Sequence, residues 1–235
     1  MKRYPGGKNG AGTWQQIVGR MPTHACYVEP FVGSGGILRR KVPALRSIVC
    51  DLDPRVINHW RAVEFPGVTA LNYCGIEWLR DHAAELDEEW LAYIDPPYLR
   101  HTRSNQLPMY RFEMTDADHR RLLDVATRLP CKVMISGYAS TMYAKALRNW
   151  SHVQYEVVTR RGTLRTEHLW FNFPETPLPD QSFPTPGRDF RERERIKRRV
   201  KRWRAKFDAM PDHERRAVLA ELVRAEQKRA PLEAR

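Results

Sequence analysis

Short apolar runs alternate with helical patterns through the first 173 residues. The strand candidates are Cys26–Phe31, Arg46–Asp51, Val68–Asn72, Leu91–Asp95, Lys132–Ser136, Val153–Val158 and His168–Phe173. The helix candidates between them are Gly35–Lys41, Pro54–Glu64, Ile76–Leu86, Asp116–Arg128 and Thr141–Asn149. Alternation of this kind is typical of a mainly parallel sheet that is covered by helices on both faces. We therefore predict an α/β fold with seven strands in one sheet.

The sequence Asp95-Pro96-Pro97-Tyr98 directly follows the apolar run Leu91–Ile94. A strand that ends here brings these residues to the carboxyl edge of the sheet, where open α/β sheets bind ligands. Each proline lacks an N–H group and fixes its own φ, so the loop keeps one shape. The Asp95 carboxylate and the Pro96 carbonyl can both accept hydrogen bonds from one amino group, while Tyr98 stacks on the attached ring. This pattern indicates chemistry on an exocyclic amine; a rigid turn with a packed tyrosine is the alternative.

A glycine turn, Glu29–Gly36, follows the first strong strand. Gly33 and Gly35 let the backbone approach a ligand closely, because a Cβ would obstruct it. Leu38 fills the third glycine position of the dinucleotide fingerprint, so an ordinary strand–helix turn stays open as an alternative. Asp51 ends the next strand, where an acid commonly accepts hydrogen bonds from ribose hydroxyls; capping of the following helix is the alternative. Together, turn and acid indicate an adenosine-containing ligand.

The N-terminal segment Tyr4–Lys8 contains Gly-Gly-Lys, as phosphate loops do. The Walker pattern fails at Lys2, where glycine is required, and at Asn9, where serine or threonine is required. We therefore expect no nucleoside triphosphate site. A flexible Gly-Gly beside an aromatic residue and a lysine can still line a ligand, and an unstructured tail is the alternative.

Charge and composition restrict the partners. Lysine and arginine number 40 against 28 acidic residues, a net charge of +12. Such a balance favours a polyanionic partner, most often nucleic acid, with a merely soluble basic protein as the alternative.

No run approaches the ~20 apolar residues of a membrane span, and the first residues contain no apolar signal segment, so we expect a cytoplasmic protein. The four cysteines form no C-x-x-C pair, so we expect no metal.

The composition changes after residue 173. Residues 174–187 hold five prolines and predict an extended linker between a domain at 1–173 and a basic helical tail at 188–235. Residues 188–206 contain eleven basic and three acidic residues, and helical patterns cover this region and Asp212–Lys228. We expect phosphate contacts from Arg198, Arg199 and Arg202. A helix that Trp203 packs onto the first domain or a second subunit is an alternative that is compatible with these contacts.

Four motifs, in this order, resemble those of the Dam-type (class alpha) adenine-N6-specific DNA methyltransferases, above all compact phage and prophage members: Arg3–Lys8, Glu29–Gly36, Asp51 and Asp95–Tyr98. Three further segments resemble that family: Glu113–His119, Val133–Tyr138 and Thr166–Asn172. The resemblance covers residues 2–173, and its first and fourth motifs are the specific ones. It implies a Rossmann-like methyltransferase fold, S-adenosylmethionine (AdoMet) as methyl donor, double-stranded DNA as substrate, and a bacterial or phage-infected cell as the setting.

The resemblance also implies roles for particular residues. The implied cofactor-binding residues are Tyr4, Gly7, Lys8, Phe31, Gly33, Gly35, Asp51 and Asp95. The implied catalytic residues are Asp95, Pro96 and Tyr98. We expect Lys8 and Tyr98 to contact the nucleic acid as well. The long polar loop Leu99–Phe112 is expected to close over DNA through Arg100, Arg103, Asn105 and Tyr110, unless it is a plain surface loop.

One departure from the family concerns target recognition. Dam-type enzymes usually insert a recognition domain before the catalytic motif, whereas only the 43 residues Leu52–Ile94 stand there in this chain. Sequence recognition must therefore come from elsewhere or be weak. An RNA adenine-N6 methyltransferase and a non-catalytic nucleic-acid-binding protein with a relic methyltransferase fold remain as alternatives. Cytosine-C5 chemistry is disfavoured, because Cys131 precedes the fifth strand instead of ending the fourth.

Overall fold

The computed structural model describes residues 6–8, 13–63, 65–103, 107–158, 163–175, 190–215, 217–218 and 221–222. The chain divides into two compact units, Met1–Pro184 and Thr185–Arg235, and each is described by itself. Most of the predicted linker, 174–187, lies outside the described residues. The division into domain, linker and tail therefore stays a prediction.

The first unit contains one seven-stranded sheet. Its strands are β1 (Cys26–Glu29), β2 (Arg46–Cys50), β3 (Val68–Leu71), β4 (Trp90–Ile94), β5 (Lys132–Gly137), β6 (Ser151–Val158) and β7 (Leu164–Phe171). They lie in the order β3-β2-β1-β4-β5-β7-β6. Neighbouring strands from β3 to β5 pair in parallel, and β7 runs antiparallel to both β5 and β6. The predicted Rossmann-like, mainly parallel sheet is confirmed.

Helices cover both faces of this sheet. They are α1 (Thr13–Val18), α2 (Pro54–Val63), α3 (Gly75–Asp81), α4 (Asp116–Ala126) and α5 (Thr141–Ala146). All five residues of β4 are buried, as in a strand that is covered on both sides. Leu91 and Tyr93 pack in the apolar cluster that contains residues of α1 and α2. Ala92 and Ile94 pack in the opposite cluster, with residues of α3, α4 and α5.

The helix predicted at Gly35–Lys41 is wrong, because this segment forms a series of turns. Isolated hydrogen bonds join the Arg39 N–H to the Gly35 carbonyl at 3.1 Å and the Lys41 N–H to the Ile37 carbonyl at 3.0 Å. Gly35 has a φ of 61°, outside the helical region, and Pro43 disfavours helical backbone at Val42, so the segment has a non-helical residue at each end. Conversely, α1 was not among the predicted helices, because its six residues are too few to show a helical period.

The glycine turn is fixed by its packing on Trp60 of α2. A Cβ on Gly35 would lie 2.0 Å from Cζ2 of the Trp60 ring. The indole N–H donates a hydrogen bond to the Gly33 carbonyl at 3.1 Å. The Arg39 guanidinium covers the same ring, 4.3 Å from its centroid. The Trp60 indole therefore fills the space next to the Gly35 Cα.

We expect Gly35→Ala to lower the free energy of unfolding by roughly 2–5 kcal/mol. A left-handed backbone costs a residue with a Cβ about 1–2 kcal/mol, and overpacking against Trp60 adds about 1–3 kcal/mol. Gly67→Ala is the matched control, because Gly67 has a φ of 71° but its nearest neighbour would lie 3.4 Å away. Urea denaturation measures both variants. Equal losses at the two positions would contradict the packing argument.

Candidate active site

The carboxyl ends of β1, β2 and β4 surround a cavity of about 580 Å³. Because β1 lies between β2 and β4, the strand order reverses at this point, which is where open α/β sheets bind ligands. Several residues that we expected at the site line the cavity: Gly7, Lys8, Phe31, Gly33, Asp51, Asp95 and Tyr110. Sequence motifs far apart in the chain thus meet at one place.

Asp51 and Gly33 form one end of the cavity. The Asp51 carboxylate accepts hydrogen bonds from the Gly33 N–H at 3.1 Å and the Asp53 N–H at 2.8 Å. Burial raises the pKa of Asp51, although both N–H groups oppose this shift. Asp53, and not Asp51, caps α2, because its carboxylate accepts a hydrogen bond from the Arg55 N–H at 3.0 Å. Asp51 is therefore held toward the cavity, as a ligand-binding acid would be.

The catalytic motif that we predicted follows β4. Asp95 and Pro97 line the cavity, and Pro96, which stands between them in the chain, is buried. The Tyr98 ring packs edge to face against Tyr138, which follows β5, with 4.7 Å between the ring centroids. Burial raises the pKa of Asp95 to about 6, against the opposing effect of Lys8. The motif thus presents an acid, a rigid loop and an aromatic ring at the sheet edge.

Lys8 lies at the centre of a buried charge cluster. Its side chain is only 5% exposed, and its ammonium is 3.1 Å from Asp95 Oδ1 and 3.3 Å from Glu167 Oε2. The ammonium also donates a hydrogen bond to the Tyr98 hydroxyl. Burial lowers the pKa of Lys8, but the two carboxylates outweigh it and the net shift is upward. Lys8 is therefore a permanent cation between two acids.

Glu167 is a site residue that sequence reasoning did not identify. Because β7 runs antiparallel to β5, its first residues lie at the carboxyl edge of the sheet, and Glu167 lies there. Tyr155 is its register partner on β6, and the Tyr155 hydroxyl donates to Glu167 Oε2 at 3.3 Å. No local sequence signal gives the direction of a strand, so the acid carried no assigned role.

Glu29 is a second acid outside the predicted set. It ends β1, is buried and lines the cavity. The Tyr27 hydroxyl donates to its Oε2 at 2.9 Å. Burial raises the pKa of Glu29 to about 8, despite that hydrogen bond. The only sequence signal is an acid within an apolar run.

The predicted DNA contact at Arg103 is corrected by its burial. Arg103 is 8% exposed, and its guanidinium donates to both oxygens of Glu113 at 2.9 and 2.7 Å. Its Nε also donates to the Tyr98 carbonyl at 2.7 Å. Glu113 in turn accepts from the Met109 and Tyr110 N–H groups. Arg103 therefore holds the loop to the predicted catalytic motif, and its guanidinium is paired with Glu113 and not with a phosphate.

The remaining predicted residues fall into three groups. Tyr4 and Asn105 lie outside the described residues. Gly35 faces the Trp60 ring, as described above, and Arg100 is exposed. The tail arginines Arg198, Arg199 and Arg202 are exposed on α6 (Phe190–Asp208) of the second unit.

Within the part of the chain that the structure describes, no helix is long and apolar enough to span a bilayer.

A family model described as D12 class N6 adenine-specific DNA methyltransferase matches residues 4–72. This stretch includes Gly33 and Asp51 and ends before Asp95. The comparison with curated proteins gave no match.

Solved methyltransferase structures are also similar. They include N-methyltransferase NodS from Bradyrhizobium japonicum WM9 in complex with S-adenosyl-L-homocysteine (TM-score 0.47, 13% identity, 67% of this chain and 84% of that chain). A second is 23S rRNA methyltransferase ErmE (TM-score 0.46, 12% identity, 74% of this chain and 72% of that chain). A third is a SAM-dependent methyltransferase from Agrobacterium tumefaciens (TM-score 0.44, 9% identity, 67% of this chain and 58% of that chain). At these identities the likeness concerns the fold alone.

We expect the Asp95 carboxyl to titrate near pH 6, so that it is protonated below that pH and ionised above it. Lys8→Met should move the midpoint to higher pH, because the ammonium that favours the carboxylate is lost while Glu167 remains. Carbon-13 NMR of labelled aspartate side chains measures the midpoint. Lys145→Met, at an exposed position on α5, is the control. An unmoved or lowered midpoint in Lys8→Met would contradict the assigned charge coupling.

Proposed function

We propose that this chain is an AdoMet-dependent methyltransferase that acts on N6 of adenine in DNA. The observation that carries the proposal is one cavity shared by two sets of groups. Gly33 and Asp51 lie at one end, and Asp95 with its proline loop lies at another part of the wall. The family-model match over residues 4–72 supports the cofactor half of the proposal. The motif Asp95–Tyr98 supports the catalytic half.

The residues present fit the cofactor. A cavity of about 580 Å³ is in the range of small-molecule and cofactor sites. Asp51 is an acceptor for ribose hydroxyls, and Phe31 offers an apolar wall beside the glycine turn. The cofactor, when bound, supplies a methyl group on a positively charged sulfur. Asp51, Phe31 and Gly33 would hold it.

Asp95 and Pro96 then prepare the acceptor nitrogen. The N6 lone pair of adenine is delocalised into the ring, so the amino group is a poor nucleophile. Two acceptors on its N–H bonds, the Asp95 carboxylate and the Pro96 carbonyl, concentrate that lone pair on nitrogen. This is preorganised electrostatics combined with alignment. The cofactor would supply the methyl group, and the amino nitrogen that Asp95 and Pro96 align would accept it and release one proton, for which the Asp95 carboxylate is the adjacent acceptor.

Tyr98 holds the base. An adenine in duplex DNA must leave the helix, because its amino group is otherwise paired. Stacking on an aromatic side chain contributes on the order of 1–3 kcal/mol per base. Tyr98 is already fixed edge to face by Tyr138 and by the Lys8 hydrogen bond. The ring therefore keeps its place before the base arrives.

Asp95→Ala should abolish methyl transfer and leave AdoMet affinity within about threefold, because the variant loses an acceptor for the amino group and keeps Asp51. The assay incubates protein with AdoMet and unmethylated DNA, and mass spectrometry of nucleosides detects N6-methyldeoxyadenosine. Asp124→Ala, at an exposed position on α4, is the control.

Three outcomes would contradict the proposal. Strong turnover by Asp95→Ala would remove the role of that carboxylate. Methylation of RNA in place of DNA would assign the substrate to the alternative class. AdoMet binding by the wild type without methylation of either polymer would indicate a binding protein with a relic fold.

The second unit is proposed to supply phosphate contacts. Arg198, Arg199 and Arg202 are all exposed on α6. Changing the three to glutamine should reduce the slope of log affinity against log salt by roughly 2–3, because each phosphate contact contributes about 0.9. Fluorescence anisotropy with a labelled duplex at several salt concentrations measures the slope.

The matched control changes Arg128, Lys132 and Arg148 to glutamine. These residues lie at or before the starts of β5 and β6, at the opposite edge of the sheet from the cavity. The control should leave the slope unchanged. Equal slopes for wild type and the α6 variant would remove the tail from the account of DNA binding.

A further inference from the structure

The Lys8 ammonium occupies the place that the proposed function assigns to the substrate. It lies 3.1 Å from Asp95 Oδ1, the acceptor for the adenine amino group. It also donates a hydrogen bond to the Tyr98 hydroxyl, at the edge of the ring on which the base would stack, 4.6 Å from the ring centroid. An ammonium and an amino group are both nitrogen donors. Lys8 thus makes the polar contact on Asp95 that the substrate must make.

Displacement of a buried ammonium is costly unless a second anion receives it. Glu167 is that anion, since its two oxygens lie 3.3 and 3.4 Å from the Lys8 ammonium. Glu167 is 7% exposed and is held by the Tyr155 hydroxyl at 3.3 Å. A small movement therefore exchanges the Asp95 contact for closer contact with Glu167, without exposing the charge to an apolar environment.

We propose that Lys8 is a stand-in for the substrate amino group on Asp95, and that Glu167 is a positioning residue that retains Lys8 when the substrate displaces it. This inference rests on the proposed function and adds a step to it. Glu167 does not touch the reacting atoms. Its effect is to make Asp95 available to the entering base at little electrostatic cost.

The test compares Glu167→Gln with wild type in steady-state methylation of unmethylated DNA. Without the second anion, displaced Lys8 has no charged partner, so the KM for DNA should rise about tenfold, the scale of one charge-assisted hydrogen bond. The kcat should change by less than about threefold, and AdoMet affinity measured by calorimetry should stay unchanged. Glu167→Asp should reverse part of this rise in KM, because it restores an anion.

The matched control is Glu156→Gln, because Glu156 is a glutamate on the neighbouring strand β6 and is exposed. It should leave KM and kcat unchanged. If Glu167→Gln does not fold, as judged by its melting temperature and AdoMet binding, Tyr155→Phe replaces it. This variant removes only the donor to Glu167, and a two- to threefold rise in the KM for DNA is expected.

The outcomes separate this inference from the proposed function. A wild type that methylates neither DNA nor RNA would overturn the proposed function and the inference with it. An active wild type, with an unchanged KM for DNA in Glu167→Gln, would overturn only the inference. So would a loss confined to kcat or to AdoMet affinity, because that pattern assigns Glu167 to the chemistry or to general stability.

Discussion

Charge neutralisation around Lys8 is the constraint on which the rest of the site depends. Isolated buried ions are costly, and here one ammonium is shared by two carboxylates and a tyrosine hydroxyl. The ammonium counteracts the burial that raises the pKa of Asp95, so the acid remains ionisable near neutral pH. The same contacts connect the N-terminal segment with the motif after β4 and with β7. A shared set of polar contacts therefore joins three parts of the chain that are far apart in sequence.

Strand direction explains how this cluster is possible. A fully parallel sheet presents only residues that follow its strands at the carboxyl edge. Because β7 is antiparallel, it contributes residues from its beginning, and Glu167 reaches the edge two strands away from β4. Neighbouring strands are about 4.8 Å apart, so the two acids are too far apart to meet directly and Lys8 spans the gap. The one reversed strand supplies the second acid.

The sequence was sufficient for features that are local to a strand end. Asp51 and Asp95 each follow an apolar run, so their position at the carboxyl edge could be predicted before the structure was known. The Gly35 packing on Trp60 and the Arg103 pairing with Glu113 could not, because both depend on which distant or buried side chain fills a space. Composition made Arg103 resemble a DNA contact, whereas its two carboxylate bonds and its burial show a structural residue. Patterns along the chain thus predicted the frame of the site better than its side-chain partners.

The short connection between the cofactor half and the catalytic half has a further consequence. The described residues of Leu52–Ile94 form α2, β3, α3 and β4 with short connections, and they contain no separate recognition domain. In the proposed function, contacts that select a DNA sequence must then come from other surfaces. The segment after Asp95–Tyr98 is adjacent to the cavity and exposes Leu107, Met109 and Phe112. Because Arg103 and Glu113 tie this segment to the Tyr98 carbonyl and to two of its own N–H groups, it is positioned by the same buried pair that supports the catalytic loop. If this segment contacts the DNA, a movement of the segment is therefore transmitted to Asp95–Tyr98 through Arg103. A separate recognition domain would have no such direct connection.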